Sequence, residues 1–476
     1  MPHVRRLPVA LVAVAALAAL PVPRATPAAA ATPRSPADSE HLAHALFAEL
    51  VGIDTTHAKG DAKAAEALIA RFRAAGFPDA DLFIGGPKPD KMNVVVRLHG
   101  TGRAPAVLFN AHLDVVEATR DTWTVDPFVL TEKDGYFWGR GTLDVKGEVA
   151  ILSANLIRLR AEGWKPTRDI ILAFNVDEEA GGDANGVEWL LKERRALVEA
   201  GLVINHDAGH GQARDGVKLW NTIQTSEKAY ATYSLTTHGP GGHSSVPWRD
   251  NPIARLAQAL VRLDAYQFPV RLSETTRGYL SAYAGRVGGE EAAAIRAILA
   301  NPADALAAER LRDSRVVNSQ LHSTCPVTVV AGGQSESALP IRASATIQCR
   351  LLPDENAEEV LATFRRVIAD PAVEIGVEFP PDPSPPTALD PAVVATVERV
   401  TREMWPELPV VPVMSAGASD NVFWRGAGLE TFGVSGTFVD ESDLRAHGKD
   451  ERVPVGAFYE SLEFSYRLMK ALAGPR

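Results

Sequence analysis

Four widely separated stretches of this chain carry side chains of one chemical kind: His112 with Asp114, then Asp144, then Glu178–Glu179 with Asp207, and finally His447. Two imidazoles and several carboxylates are the donor inventory of a site for two zinc ions sharing a bridging carboxylate, with one glutamate left over to act as a base. Each motif also has an ordinary alternative. A His-x-Asp is commonly a hydrogen-bonded surface pair, and an acid flanked by glycines, as Asp144 is, is commonly a turn residue. Adjacent glutamates are normally solvated, Asp207 can be a turn residue, and His447 before Gly448 reads as an exposed loop histidine.

The elements that must carry these residues set the ordinary readings aside. Apolar runs at 93–98, 106–110, 170–176 and 202–205 are short and bounded by polar residues or glycine, which predicts buried strands of a mixed or parallel sheet. Helical stretches at 147–160 and 186–199 separate the last three, a βαβ pattern, and a further helix over 64–75 ends at Gly76. His112 follows the second run, the glutamate pair the third, and Asp207 the fourth. In open α/β sheets, sites gather at the carboxyl ends of the strands. Three strands delivering metal-type side chains at one edge is a coincidence that chance seldom produces.

The chain changes character near Glu227. A strand at 229–236 leads into His238-Gly-Pro-Gly-Gly-His243-Ser-Ser, and a helix opens with Asn251 as N-cap and Pro252 at its first position. After an Ala-, Glu- and Arg-rich, helical insertion (268–318) come a hairpin (327–331 and 341–350), a helix over 357–369 and a strand at 373–379. That order, βαββαβ, is a ferredoxin-like unit. The fold class expected is therefore α/β, with a catalytic part in two segments (38–224 and 381–476) and an inserted domain over 225–380.

Length and composition agree with this division. A chain of 476 residues exceeds the usual size of one core. With 46% hydrophobic and 23% charged residues it is ordinary for a globular protein. The net charge of −10 argues against nucleic acid as a partner. Arg5–Arg6, an apolar run from Leu7 to Leu20, and an alanine tract before residue 32 have the layout of a secretory signal over 1–31, too short to span a membrane comfortably. Export to the periplasm or beyond follows. The two cysteines, Cys325 and Cys349, flank the hairpin; a disulfide and two buried thiols are both open readings.

The motifs taken together resemble metallopeptidase family twenty, the group containing glutamate carboxypeptidase, aminoacylase, carnosinase-type dipeptidases and succinyl-diaminopimelate desuccinylase. The resemblance rests on His112-Leu-Asp-Val-Val116, Trp123 with Asp126-Pro-Phe128, and Gly139-Arg-Gly-Thr-Leu-Asp-Val-Lys-Gly147. Further matches are Asp177-Glu-Glu-Ala-Gly-Gly182, the His238–Ser245 loop, Arg350-Leu-Leu-Pro353, Ser419-Asp420 and His447-Gly-Lys-Asp-Glu451. They run in family order over nearly the whole chain after the leader, and the long insertion resembles the larger, carboxypeptidase-like branch.

The resemblance implies a dizinc exopeptidase (Co2+ or Mn2+ serving in vitro) acting on a small peptide or N-acyl amino acid. Asp144 would bridge the ions, His112 and Asp207 would complete one site, and Glu179 and His447 the other. Asp114 would hold the His112 ring, and Glu178 would take a proton from the attacking water and pass it to the leaving amine. His243, in the family often across a homodimer interface, would reach the scissile carbonyl oxygen, and Arg350 would grip a free carboxylate. At the second-site ligand the family usually has a glutamate-glycine run. Here Asn205-His-Asp-Ala-Gly209 stands there, which leaves Asp207 and the adjacent His206 as competing ligands. An N-acyl-amino-acid deacylase on the same machinery is the alternative activity, and a non-catalytic binding homologue a remote one.

Overall fold

The structure is a computed structural model that describes residues 32–102, 104–180, 184–382 and 384–475. The expected leader over 1–31 lies outside the described residues, among which no helix is long and apolar enough to cross a membrane.

A ten-stranded mixed sheet forms the larger part. Its central strands, Arg168–Asn175, Ala104–His112, Leu202–Asn205 and Thr431–Gly433, lie side by side and parallel. Their apolar residues divide between two cores. Val107, Phe109 and Ala111, with Ile170, Leu172, Phe174 and Ile204, pack under helices Ala37–Gly52, Lys146–Ala161 and Val455–Ala473. Ala106 and Leu108, with Ile171, Ala173 and Val203, pack on the other face with Val187, Leu190 and Trp424. Burial on both faces is why these strands read as continuous apolar runs rather than alternating ones.

The ferredoxin-like unit has the strand order Val327–Gly332, Arg342–Leu351, Ala229–His238, Glu374–Phe379, all neighbours antiparallel. Helices Pro252–Asp264 and Ala357–Ile368 cover one face, with Tyr233, Leu235, Ile347, Leu256 and Phe364 in a core of their own. Asn251 caps the first of these helices, its side chain accepting from Ile253 and Ala254 N–H with Pro252 behind it, as the sequence predicts. Between that helix and the hairpin, the insertion folds as four helices from Glu274 to Leu321, packed against Trp220 and Val411 of the large sheet. Cys325, just before strand Val327–Gly332, and Cys349, within strand Arg342–Leu351, form a disulfide, which resolves the open reading in favour of the bond.

Candidate metal centre

The carboxyl ends of three adjacent parallel strands meet at one point. His112 is the last residue of its strand, and Glu178–Glu179 and Asp207 follow directly after theirs. Asp144 enters from the loop before helix Lys146–Ala161, through a cis Asp144–Val145 peptide, and His447 enters from a C-terminal loop in left-handed backbone (φ 62°). Three overlapping triads result: His112, Asp144 and Asp207; Asp144, Glu179 and His447; and His112, Glu178 and Glu179, each with donor atoms within 4.8 Å of one another.

Asp144 joins the first two triads, and its two oxygens face opposite ways. Oδ1 lies 3.1 Å from His112 Nε2, and Oδ2 lies 2.9 Å from His447 Nε2. Asp207 Oδ1 is 3.6 Å from the same His112 nitrogen, and Glu179 Oε2 is 3.0 Å from that of His447. His206 stands apart from this group. Fully buried, it sets Nδ1 2.9 Å from Glu148 Oε2 under the long helix. Both residues lie in the turn after strand Leu202–Asn205, His206 directed to the helix that carries Glu148 and Asp207 to the cluster.

The cluster crowds several carboxylates around two histidines. Burial works against ionisation of Asp144, yet hydrogen bonds from His112 and His447 outweigh it and hold its carboxyl below the usual range. His447 is pushed up to about 10 by its bonds to Asp144 and Glu179. His112 is also raised, the surrounding Asp114, Asp144 and Asp207 overcoming its burial. Desolvation first, then the charges of Asp207, Asp420 and Glu179, lifts Glu178 well above a normal glutamate. Crowded acids that raise one another and their histidines are asking for positive charge. Glu179 Oε1 is buried with no hydrogen-bond partner, so a donor atom points into the cluster unsatisfied. A divalent cation with nitrogen and oxygen preferences suits this set.

Supports around the cluster were only partly foreseen. Asp114 lies behind His112, but the ring Nδ1 sits closer to its backbone carbonyl (3.0 Å) than to its carboxylate (3.6 Å). The carboxylate accepts from Glu178 N–H (3.1 Å) and Glu179 N–H (2.9 Å), fixing the backbone that presents both glutamates. Glu451 went unassigned in the sequence. Fully buried, it accepts from Leu143 N–H (2.7 Å) and Asp144 N–H (3.0 Å), while Arg140 bonds its other oxygen. Arg140 also donates to Gly448 O at 3.0 Å. This pair therefore ties the Asp144 loop to the His447 loop and sets the spacing of the two arms. Asp420 is likewise buried, accepts from Asn175 and Asn185 (both 2.7 Å), and is pushed up to about 7, chiefly by burial. The only sequence signal for either acid was its place inside a recognisable motif.

The two expected substrate contacts lie elsewhere. His243 is exposed on a two-residue strand, with Nδ1 2.8 Å from Ser245 Oγ. Arg350 is half-buried on the ferredoxin-like sheet, its guanidinium 4.9 Å from the centre of the Tyr230 ring. Among the described residues, neither touches the cluster.

The model of the peptidase family M20/M25/M40 matches residues 108–471, which includes every cluster residue named above. The chain belongs to that family. Its M20 relatives include the human N-fatty-acyl-amino acid synthase/hydrolase PM20D1, 27% identical over 76% of this chain and 73% of the relative. Another is a probable carboxypeptidase S-like protein of Dictyostelium discoideum, also 27% identical, over 76% and 71% of the respective lengths. Aminoacylase-1 of Pongo abelii is 25% identical over 92% of this chain and 96% of its own. Among solved structures, an M20 family metallo-carboxypeptidase of Sulfolobus solfataricus superposes with a TM-score of 0.68 at 19% identity, covering 90% of this chain and 98% of that one. Human carnosine dipeptidase 1 does so at 0.61 and 17%, covering 93% and 100%. The fold is thus that of M20 enzymes, and the chain is a metallo-hydrolase.

Proposed function

We propose that this M20 chain is a dinuclear zinc exopeptidase of carboxypeptidase or dipeptidase type, which hydrolyses the amide bond next to a free α-carboxylate. The observation that carries the proposal is Asp144, whose two oxygens each face a different histidine. His112 and Asp207 would hold one ion and Glu179 and His447 the other, with Asp144 offering an oxygen to each. A structural relative from Bacillus subtilis, described as a dinuclear metal binding peptidase, supports the pairing (TM-score 0.59, 13% identity, 92% and 99% covered). The ions, when bound, supply an acidic water and polarise the scissile carbonyl. Glu178 accepts the proton of the attacking water and delivers it to the leaving nitrogen. Asp114 keeps that carboxylate aimed by holding its backbone N–H. Arg350 takes the substrate's carboxylate in its planar fork.

A second reading is favoured by the relatives that act on N-acyl amino acids: the bond cleaved joins an acyl group, rather than an amino acid, to the residue bearing the carboxylate. A panel of free-acid dipeptides and N-acetyl or fatty-acyl amino acids separates the two. The exopeptidase turns over the dipeptides faster, and the reverse ranking assigns the chain to the deacylases.

His243 does not reach the cluster of its own chain. A homodimer through the inserted unit would bring a partner's copy to it, and the unit offers a site for one. Strand Val327–Gly332 is an exposed sheet edge with Val329 and Val330 more than half exposed, beside a groove of about 310 Å³ lined by Ile253, Leu256 and Leu260. Sedimentation that finds only monomer under assay conditions removes this role for His243. The Cys325–Cys349 bond supports an oxidising, exported setting for the chain.

A further inference from the structure

The ferredoxin-like sheet has a covered face and an open one. Ala231, Tyr233, Leu235, Ala345, Ile347 and Cys349 pack beneath the helices. Their alternates on the two central strands point the other way, and most are small and polar: Thr232, Ser234, Ser344, Thr346 and Gln348. At one end of this open face the character changes. Tyr230 and Arg350 are direct register partners, with the guanidinium 4.9 Å from the ring centre. Phe379, paired in register with Thr232, meets the Tyr230 ring edge-on at 5.3 Å. Both rings stay more than a third exposed, Tyr230 at 37% and Phe379 at 41%.

Two features mark this corner as a binding surface. Arg350 is half-buried and desolvated, yet among the described residues no carboxylate lies within ion-pair distance of it. A cation taken partly out of water beside a ring and a second cation, Lys228, is poised for an anion from outside. The rings beside it are not core residues, because they keep their exposure at the end of otherwise polar strands.

We propose that Tyr230 and Phe379 form the pocket for the side chain of the residue whose carboxylate Arg350 holds, so that the amino acid released is aromatic or large and aliphatic. This rests on Arg350 holding the substrate carboxylate. In an amino acid the side chain and the carboxylate leave the same Cα, and the two groups lie within about 3–5 Å of each other. The Tyr230 ring lies at a comparable distance from the guanidinium (4.9 Å), and Phe379 extends the apolar surface beyond it. The rings also shield the Arg350–carboxylate pair from water, which strengthens it.

The test is kcat/KM for a series differing only in the carboxyl-terminal residue (Phe, Leu, Ala, Asp). It is run on N-acetyl and glycyl scaffolds, each substrate beside its amide. The wild type should favour Phe and Leu over Asp by roughly tenfold or more, and Phe379→Ala should cut the Phe-to-Ala ratio by about tenfold. Phe379→Arg should shift preference toward Asp, a gain that mere misfolding cannot imitate. An unchanged Phe-to-Ala ratio in both Phe379→Ala and Tyr230→Ala, or a wild-type preference for Asp, overturns the pocket. Amides cleaved as fast as free acids instead overturn the role of Arg350 itself, whatever the side-chain ratios. No cleavage on either scaffold removes both.

Discussion

The Glu178→Gln variant is expected to lose turnover by about 10²- to 10⁴-fold while retaining the metal content of the wild type. Glutamine keeps the shape of the side chain and the backbone bond to Asp114, but it cannot take a proton from water. Glu178 shares a triad with His112 and Glu179, so geometry alone admits it as a ligand. Its neighbour Glu179 is the one that faces His447 and belongs to the triad bridged by Asp144. The desolvated, acid-crowded setting that raises the Glu178 carboxyl suits a group that must carry a proton between two partners rather than remain ionised throughout. Loss of activity together with loss of metal would make Glu178 a ligand. Activity retained with metal bound would mean that another group is the base.

Asp144→Ala should act on both metal positions at once. Metal content is expected to fall from two ions per chain to one or fewer, measured by elemental analysis after dialysis. Removing His112 or His447 touches one arm of the cluster, whereas Asp144 supplies an oxygen to each. Lewis-acid stabilisation by a bound cation is worth several kcal/mol, so at about 1.4 kcal/mol per decade the loss in kcat is roughly 10³-fold or more. Its backbone would still be held by Glu451 through the Leu143 and Asp144 N–H groups. The loop therefore has reason to keep its place, and the effect reports the carboxylate. Full metal content in this variant would mean that the cluster does not share a bridging group.

How far the sequence could be read follows from the range of the interactions. Strand ends were legible because apolar runs and their polar boundaries are local, and that alone placed His112, Glu179 and Asp207 at one edge. The helix start at Asn251–Pro252 was legible for the same reason. Glu451 was not, because its partners Arg140, Leu143 and Asp144 lie more than 300 residues earlier. The carboxylate of Asp114 was credited to the His112 ring, which it does face at 3.6 Å, but its bonds to backbone N–H groups 64 and 65 residues away were not foreseen. The company that Arg350 keeps depends on register: Tyr230 stands opposite it only because the two strands pair without slippage from Ala229 to His238. Register is set by the shared core and not by either strand alone.

The most direct test of the account is titration of a divalent cation into metal-stripped protein, with bound metal and hydrolysis of a free-acid substrate followed together. Activity that is absent without metal and reaches its maximum as the second equivalent of Zn2+ binds is the result the paired arms around Asp144 predict. Full activity at one equivalent, or hydrolysis that persists in the presence of a chelator with no metal bound, would contradict it.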